Sequence, residues 1–217
     1  MLNFLQISLT SRCNFTCWHC PMADYRNTDD PEYVLTNARL LPWVFKHITP
    51  RSWIIELTGG EPALYPGINE LCAALDSRGY SVLVKTNGSL PINAYPNVRR
   101  IAAFHRLEEP PRYFDEILIV DGVDSDAKIS YCTQNAIPFK VVGFNDANPD
   151  NASHRFQLCA FMDPHGHPTA CKARQVHYTS PPDKYALEYT GLRTTACCPH
   201  CKAAIDAWRF LPESWKI

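Results

Sequence analysis

The sequence predicts an α/β protein: a partial (β/α)6 TIM-like barrel followed by a small Cys-rich, metal-binding extension. Three observations predict it. Six short runs rich in β-branched or aromatic residues alternate with helix-like segments, the pattern of a parallel sheet with crossover helices. Those six runs fit into the first 145 or so residues, whereas a complete eight-unit barrel needs about 250. The ten cysteines are unevenly spread, with Cys13, Cys17 and Cys20 at the front and Cys159, Cys171, Cys197, Cys198 and Cys201 near the end.

Taken in order, the strands are "FLQISL", "WIIEL", "YSVLVKT", "RIAAFH", "EILIVD" and "FKVVGF". A helix perturbed by Pro42 is expected around "ARLLPWVFKHI". The helix at about 67 to 78 is marked by Ile68, Leu71, Cys72 and Leu75 at helical spacing, with Gly79 placed to end it. The segment "SDAKISYCTQNA" supplies another crossover, with Ser125 as its expected cap. Between the fourth and fifth strands "RLEEPPRY" is too short for a crossover helix and contains Pro110 and Pro111, so the barrel is trimmed there. From about residue 146 a polar connection, "NDANPDNASHRF", leads into a Cys- and His-bearing tail. This gives two units, 1–145 and 146–217.

Composition narrows the function classes. A net charge of -1 with 20% charged residues gives no nucleic-acid signal and no anionic-membrane signal. The first residues have neither the basic start nor the cleavage pattern of an export signal, and no run of 18 apolar residues occurs. A soluble cytoplasmic protein is expected, in which cysteines serve metal binding or catalysis rather than disulfides. Cys72 and Cys132 read as small core hydrophobes.

Strand ends are where active groups gather in such sheets. "CNFTCWHC" follows the first strand, "TGGEP" the second and "TNG" the third, so three unusual loops fall on one rim. Thiolate is the soft ligand of iron–sulfur clusters and of zinc. Three cysteines can hold three corners of a cubane and leave one iron open. A zinc site that borrows a fourth ligand, such as His19, is the alternative. In "ELTGGEP" the paired glycines let backbone approach a ligand closely, and Pro62 suits the start of the next segment.

Together these motifs resemble the radical S-adenosylmethionine superfamily. Its C-x3-C-x-aromatic-C hallmark is matched by Cys13, Cys17, His19 and Cys20, and its Gly-Gly-Glu-Pro motif by Gly59, Gly60, Glu61 and Pro62. The resemblance implies that Cys13, Cys17 and Cys20 ligate a [4Fe-4S] cluster whose fourth iron is chelated by S-adenosylmethionine. It implies that His19 lies against adenine and that Gly59, Gly60 and Glu61 hold the methionyl amino end. Thr86 and Asn87 match polar positions near the cofactor, while Lys85 and His105 are weaker candidates. It further implies one-electron cleavage to a 5'-deoxyadenosyl radical that abstracts hydrogen, fed by an external donor such as a flavodoxin or ferredoxin. No catalytic acid–base residue is identified.

In the tail, Cys159 and Cys171 flank an expected hairpin turn at "DPHGH", and Cys198 and Cys201 follow as C-x2-C, with Cys197 as the substitute for Cys198. This set resembles the auxiliary-cluster twitch/SPASM extensions of some radical barrels, which implies a second [4Fe-4S] cluster. Structural zinc is the alternative. His165, His167, His177 and His200 are further ligand candidates, none of them selected. The cysteine loop begins at residue 13, so no separate N-terminal leader-recognition domain is expected. An open barrel favours a peptide or protein substrate. Glycyl-radical-enzyme activation, a small-metabolite synthase of the purine-analogue kind, and a non-catalytic electron-transfer or zinc-binding module are the alternatives.

Overall fold

A computed structural model describes residues 2–17, 20, 26–27, 35–122 and 124–142, and the backbone of 156–162 and 168–169. Six parallel strands run in chain order across one sheet: β1 (Leu2–Ser8), β2 (Trp53–Thr58), β3 (Ser81–Thr86), β4 (Val98–Ala103), β5 (Glu116–Val120) and β6 (Phe139–Val142). All six coincide with the six apolar runs of the sequence. The crossovers include α1 (Asn37–His47), α2 (Ile68–Asp76) and α3 (Ser125–Gln134).

The core follows from strand alternation. Leu5, Ile7 and Leu9, then Trp53, Ile55 and Leu57, then Val82 and Val84 face one side, where they pack on Leu40 and Val44 of α1 and on Leu71, Cys72 and Leu75 of α2. Farther along, Ile117, Ile119 and Phe104 pack on Cys132 of α3. Cys72 and Cys132 are fully buried in these clusters, as their helical spacing predicts.

The other face of the sheet is partly charged. Gln6 donates to Glu56 at 2.7 Å, and the Lys85 ammonium lies 3.1 Å from the same buried carboxylate. Near the amino ends of β4 to β6, Glu116 is shared between Arg99 at 2.6 Å and Lys140 at 3.4 Å. Charges buried on a sheet face persist only when paired in this way.

Local sequence signals are met with two differences. Gly79, at φ +75°, ends α2: its N–H reaches the Asp76 carbonyl and that of Tyr80 reaches Leu75, the paired closure expected of a glycine C-terminus. Pro42 does not break α1, which runs through it on an exposed turn where water can solvate the carbonyl left without a donor. Ser125 is not the cap of α3. That position falls to Asp124, in the left-handed region at φ 50°, while the Ser125 hydroxyl donates to Asp121 at 3.2 Å. The trimmed connection between β4 and β5 carries no helix. Its Pro111 lies against Gly88, whose carbonyl accepts from Arg112 and Tyr113.

Beyond β6 the sheet gains what the sequence reading lacks. Strand β7 (Phe156–Met162) pairs parallel with the free side of β1, and β8 (Pro168–Thr169) returns antiparallel to it. The run "FQLCAFM" escapes the strand pattern because it contains no β-branched residue. Among the described residues no helix is long and apolar enough to cross a membrane.

One buried contact tests this packing. The Tyr80 hydroxyl donates to the Ile48 carbonyl at 2.7 Å, joining the end of α1 to the start of β3. Tyr80→Phe leaves that carbonyl unsatisfied, at a cost of about 1–2 kcal/mol. A thermal melt followed by circular dichroism should show a fall of about 2–8 °C.

Candidate active site

The rim at the carboxyl ends of β1, β2 and β3 is assembled by backbone contact. After β2 the chain turns back so tightly that the Gly60 N–H donates to the Thr10 carbonyl and the Glu61 N–H to the Arg12 carbonyl, each at 2.7 Å. A side chain at either glycine is excluded: a Cβ on Gly59 would fall 2.4 Å from the Thr10 oxygen, and one on Gly60 would fall 2.1 Å from the Arg12 oxygen. The paired glycines therefore press the second loop against the first, directly before Cys13.

Glu61 fastens the third loop. Its carboxylate is wholly buried. One oxygen accepts from the Thr86 hydroxyl at 2.6 Å and the Ala63 N–H at 2.9 Å, and the other accepts from the Asn87 N–H at 2.7 Å. Burial raises its pKa, opposed by the Asn87, Thr86 and Ala63 donors. The network continues outward. Asn87 donates to Asn14 at 2.9 Å, Asn14 donates to Ser89 at 2.9 Å, and Ser89 donates to Asn87 through both its N–H and its hydroxyl.

On this platform sits the cysteine loop. Cys13, Cys17 and Cys20 are each partly exposed, unlike Cys72 and Cys132. The Cys13 N–H donates to Asn27 at 3.1 Å, its sulfur accepts from the Phe15 N–H at 3.4 Å, and the Cys20 N–H reaches the Cys17 carbonyl at 3.3 Å. Phe15 is the loop's apolar anchor. It is buried, meets the His105 ring edge-on at 6.3 Å, and carries the Arg106 guanidinium 4.5 Å above its ring. Arg26 donates to its carbonyl at 3.0 Å.

Burial raises the Cys13 pKa, and the charges of Glu61 and Cys20 push the same way against Arg26. Cys17 is likewise raised, first by burial and then by Cys13 and Cys20, against Arg106 and Arg26. Neighbouring thiols thus lie near enough to oppose the ionisation of Cys13 and Cys17. A cationic group bound among them removes that penalty and favours the thiolate, the soft ligand form. In this respect the donor set fits an iron–sulfur cluster. Among the described residues no three His, Cys, Asp or Glu side chains gather round a single-ion position.

The candidates of the sequence therefore separate. Glu61, Thr86 and Asn87 come together, with Gly59 and Gly60 beneath the cysteine loop. Lys85 is directed to Glu56 on the charged face of the sheet, and His105 backs Phe15. His19 lies outside the described residues, as do Cys171, Cys197, Cys198, Cys201, His165, His167, His177 and His200. Of Cys159 only the backbone is described, on β7 opposite Phe4 of β1. The sequence reading missed Asn14, Phe15, Asn27, Ser89 and Arg106. Asn14 and Ser89 adjoin motif residues and are short polar side chains suited to loop bonding, whereas nothing local distinguishes Arg106.

A parallel sheet with a thiol-bearing loop on its carboxyl rim defines a class: an α/β barrel enzyme core built for a soft metal group. The sequence matches the Radical SAM superfamily over residues 7–115, half of the chain. The chain belongs to that superfamily, a class of enzymes whose members carry a [4Fe-4S] cluster and use S-adenosylmethionine. It is 30% identical over 165 residues to the GTP 3',8-cyclase of Nostoc sp., covering 67% of this chain and 50% of that protein. It is 39% identical over 83 residues to the 7-carboxy-7-deazaguanine synthase of Methanothermobacter thermautotrophicus, covering 38% of this chain and 32% of that one. The chain spans half or less of the length of the curated relatives it matches. In fold it is similar to Streptococcus suis SuiB. The TM-score is 0.55 at 11% identity, over 88% of this chain and 66% of SuiB. Against SuiB bound to precursor peptide SuiA it is 0.50 at 13% identity, over 78% and 59%.

The glycine contacts yield a paired test. Gly60→Ala forces a backbone clash between two loops and should remove the share of iron that the Cys13, Cys17 and Cys20 loop retains after anaerobic reconstitution. Gly79→Ala meets nothing within 4 Å and should cost only the about 1–2 kcal/mol of a left-handed alanine, with iron content unchanged. Colorimetric iron per chain on the two variants checks both outcomes.

Proposed function

We propose that this chain holds a [4Fe-4S] cluster through Cys13, Cys17 and Cys20, with S-adenosylmethionine as the remaining ligand, and uses the pair to abstract hydrogen from a substrate. The observation that carries the reading is three partly exposed thiols on one loop held by the Gly59–Gly60–Glu61 turn. When bound, the cluster and S-adenosylmethionine together supply one-electron reductive cleavage of a sulfonium and a carbon-centred radical.

The chain's own residues bind and orient. Gly60 and Glu61 turn their N–H groups inward to Thr10 and Arg12, so what this loop offers a ligand is carbonyl oxygen, the partner an ammonium needs. That supports the methionyl amino end as its ligand. Thr86 and Asn87 contribute through Glu61, as supports of the loop that meets the cofactor. The position of His19 within the cysteine motif supports its place against adenine. An external flavodoxin or ferredoxin would deliver the electron.

For the tail, the reading is an auxiliary [4Fe-4S] cluster of the twitch/SPASM kind, held by Cys159, Cys171, Cys198 and Cys201, within the unit 146–217. The antiparallel pairing of Phe161 with Thr169, between the first two of these cysteines, supports its hairpin. Because β7 pairs with β1, that unit would begin as part of the core sheet.

A peptide or protein is the leading substrate class, since an open barrel accepts a bulky substrate from outside. The likeness to SuiB concerns the fold alone. A second reading, a guanine-type small metabolite, is favoured by the sequence relatives, whose names specify GTP and 7-deazaguanine products.

Anaerobically reconstituted protein should convert S-adenosylmethionine to 5'-deoxyadenosine under a strong reductant, and Cys17→Ala should lose this by at least about 100-fold, as removal of an essential cofactor ligand requires. Chromatography of the products checks it; equal 5'-deoxyadenosine from both proteins contradicts the assignment. Iron and sulfide for two cubanes are expected, and one cubane with stoichiometric zinc would overturn the auxiliary cluster alone.

A further inference from the structure

The cysteine loop is clamped from a distant part of the chain by a permanent cation. Arg106 follows β4, some ninety residues after the loop it touches. Its guanidinium lies over the Phe15 ring at 4.5 Å, and its Nη2 donates to the Thr16 hydroxyl at 3.3 Å. These two contacts hold Phe15 and Thr16, two of the three residues between Cys13 and Cys17. Arg106 therefore cannot swing into solvent without surrendering both, and its charge is fixed beside the thiols.

Among the described residues that charge is only partly compensated: the carboxylate paired with it there is Glu109, at 3.5 Å, and more than half of that side chain is exposed to water, where an ion pair is weak. Arg26 bonds the Phe15 carbonyl and adds a second cation on the same segment. A ring face under a guanidinium is a favourable seat, and its two halves stand about ninety residues apart in the chain. A surface arginine placed only for solubility has no need of this seat.

Resting on the reading of Cys13, Cys17 and Cys20 as cluster ligands, we infer that Arg106 is a positioning residue that sets the reduction potential of the cluster on that loop. Reduction adds negative charge to a group already surrounded by thiolates. A fixed guanidinium beside the loop stabilises the reduced form more than the oxidised form, and so raises the potential. Glu109 acts in the opposite sense, as a partial counter-charge that holds the effect of Arg106 down. The pair makes the ease of electron acceptance a property of the β4–β5 connection, separate from the ligands.

The test is an EPR-monitored redox titration of the reconstituted full chain and of Arg106→Met, Arg106→Lys and Glu109→Gln. Arg106→Met keeps an apolar chain on Phe15 but removes the charge. At the wild-type midpoint its ratio of reduced to oxidised cluster should fall by roughly tenfold, the size expected of one charge about 12 Å away at an effective dielectric near 20. Arg106→Lys keeps the charge and should stay near wild type, while Glu109→Gln should move the ratio upward. An unmoved potential in Arg106→Met, or an equal shift in Arg106→Lys, would show a clamp and nothing more and would overturn the inference. If Arg106→Met fails to retain its cluster, Glu109→Gln decides: an upward shift supports the inference and an unchanged potential overturns it. Absence of any cubane signal in the wild type would instead overturn the ligand assignment, and this inference with it.

Discussion

The rim of this protein depends on one buried carboxylate. Glu61 is fully enclosed, and ionised it would be costly there without donors. It has three, the Ala63 N–H, the Thr86 hydroxyl and the Asn87 N–H, and through them the loops after β2 and β3 become one body. The same residue's N–H joins Arg12, so the loop after β1 is drawn into that body too. The carboxylate ties two loops and the backbone N–H of the same residue the third, so one residue makes three loops adopt one geometry, and the cysteines ride on the result.

Around this lock the contributions divide by physical type. The glycines supply closeness, since no Cβ fits between Gly60 and the Arg12 carbonyl. Asn14, Asn87 and Ser89 supply a hydrogen-bonded border. Phe15 supplies a buried apolar anchor for the cysteine loop, and Arg106 covers that anchor from beyond the end of β4. The apolar core between the sheet and α1, α2 and α3 sits beneath, holding the strand ends in register. Loops carry the chemistry here because a rigid sheet fixes where they start.

Much of this was legible in the letters. The six strands of the parallel sheet announced themselves by composition, and the three rim loops followed because each motif stands directly after a strand. The tight closure at Gly79 and the core roles of Cys72 and Cys132 were equally local. What escaped was set by distance. The donors that engage the Glu61 carboxylate from Thr86 and Asn87 stand 25 and 26 residues away. Lys85, beside the motif, turns to Glu56 because strand alternation puts it on the other face. Arg106 finds Thr16 across 90 residues, and no local pattern encodes such a meeting. Strand β7 was missed because it holds no β-branched residue, while its pairing partner is the first strand of the chain.

The central claim is that the Glu61 carboxylate organises a loop whose thiols carry a cluster. Iron and sulfide content of reconstituted Glu61→Ala, read together with its far-ultraviolet circular dichroism, tests it most directly. The account predicts a barrel spectrum close to wild type with the cluster of the cysteine loop lost. A Glu61→Ala protein that retains the full complement of iron and sulfide would contradict it.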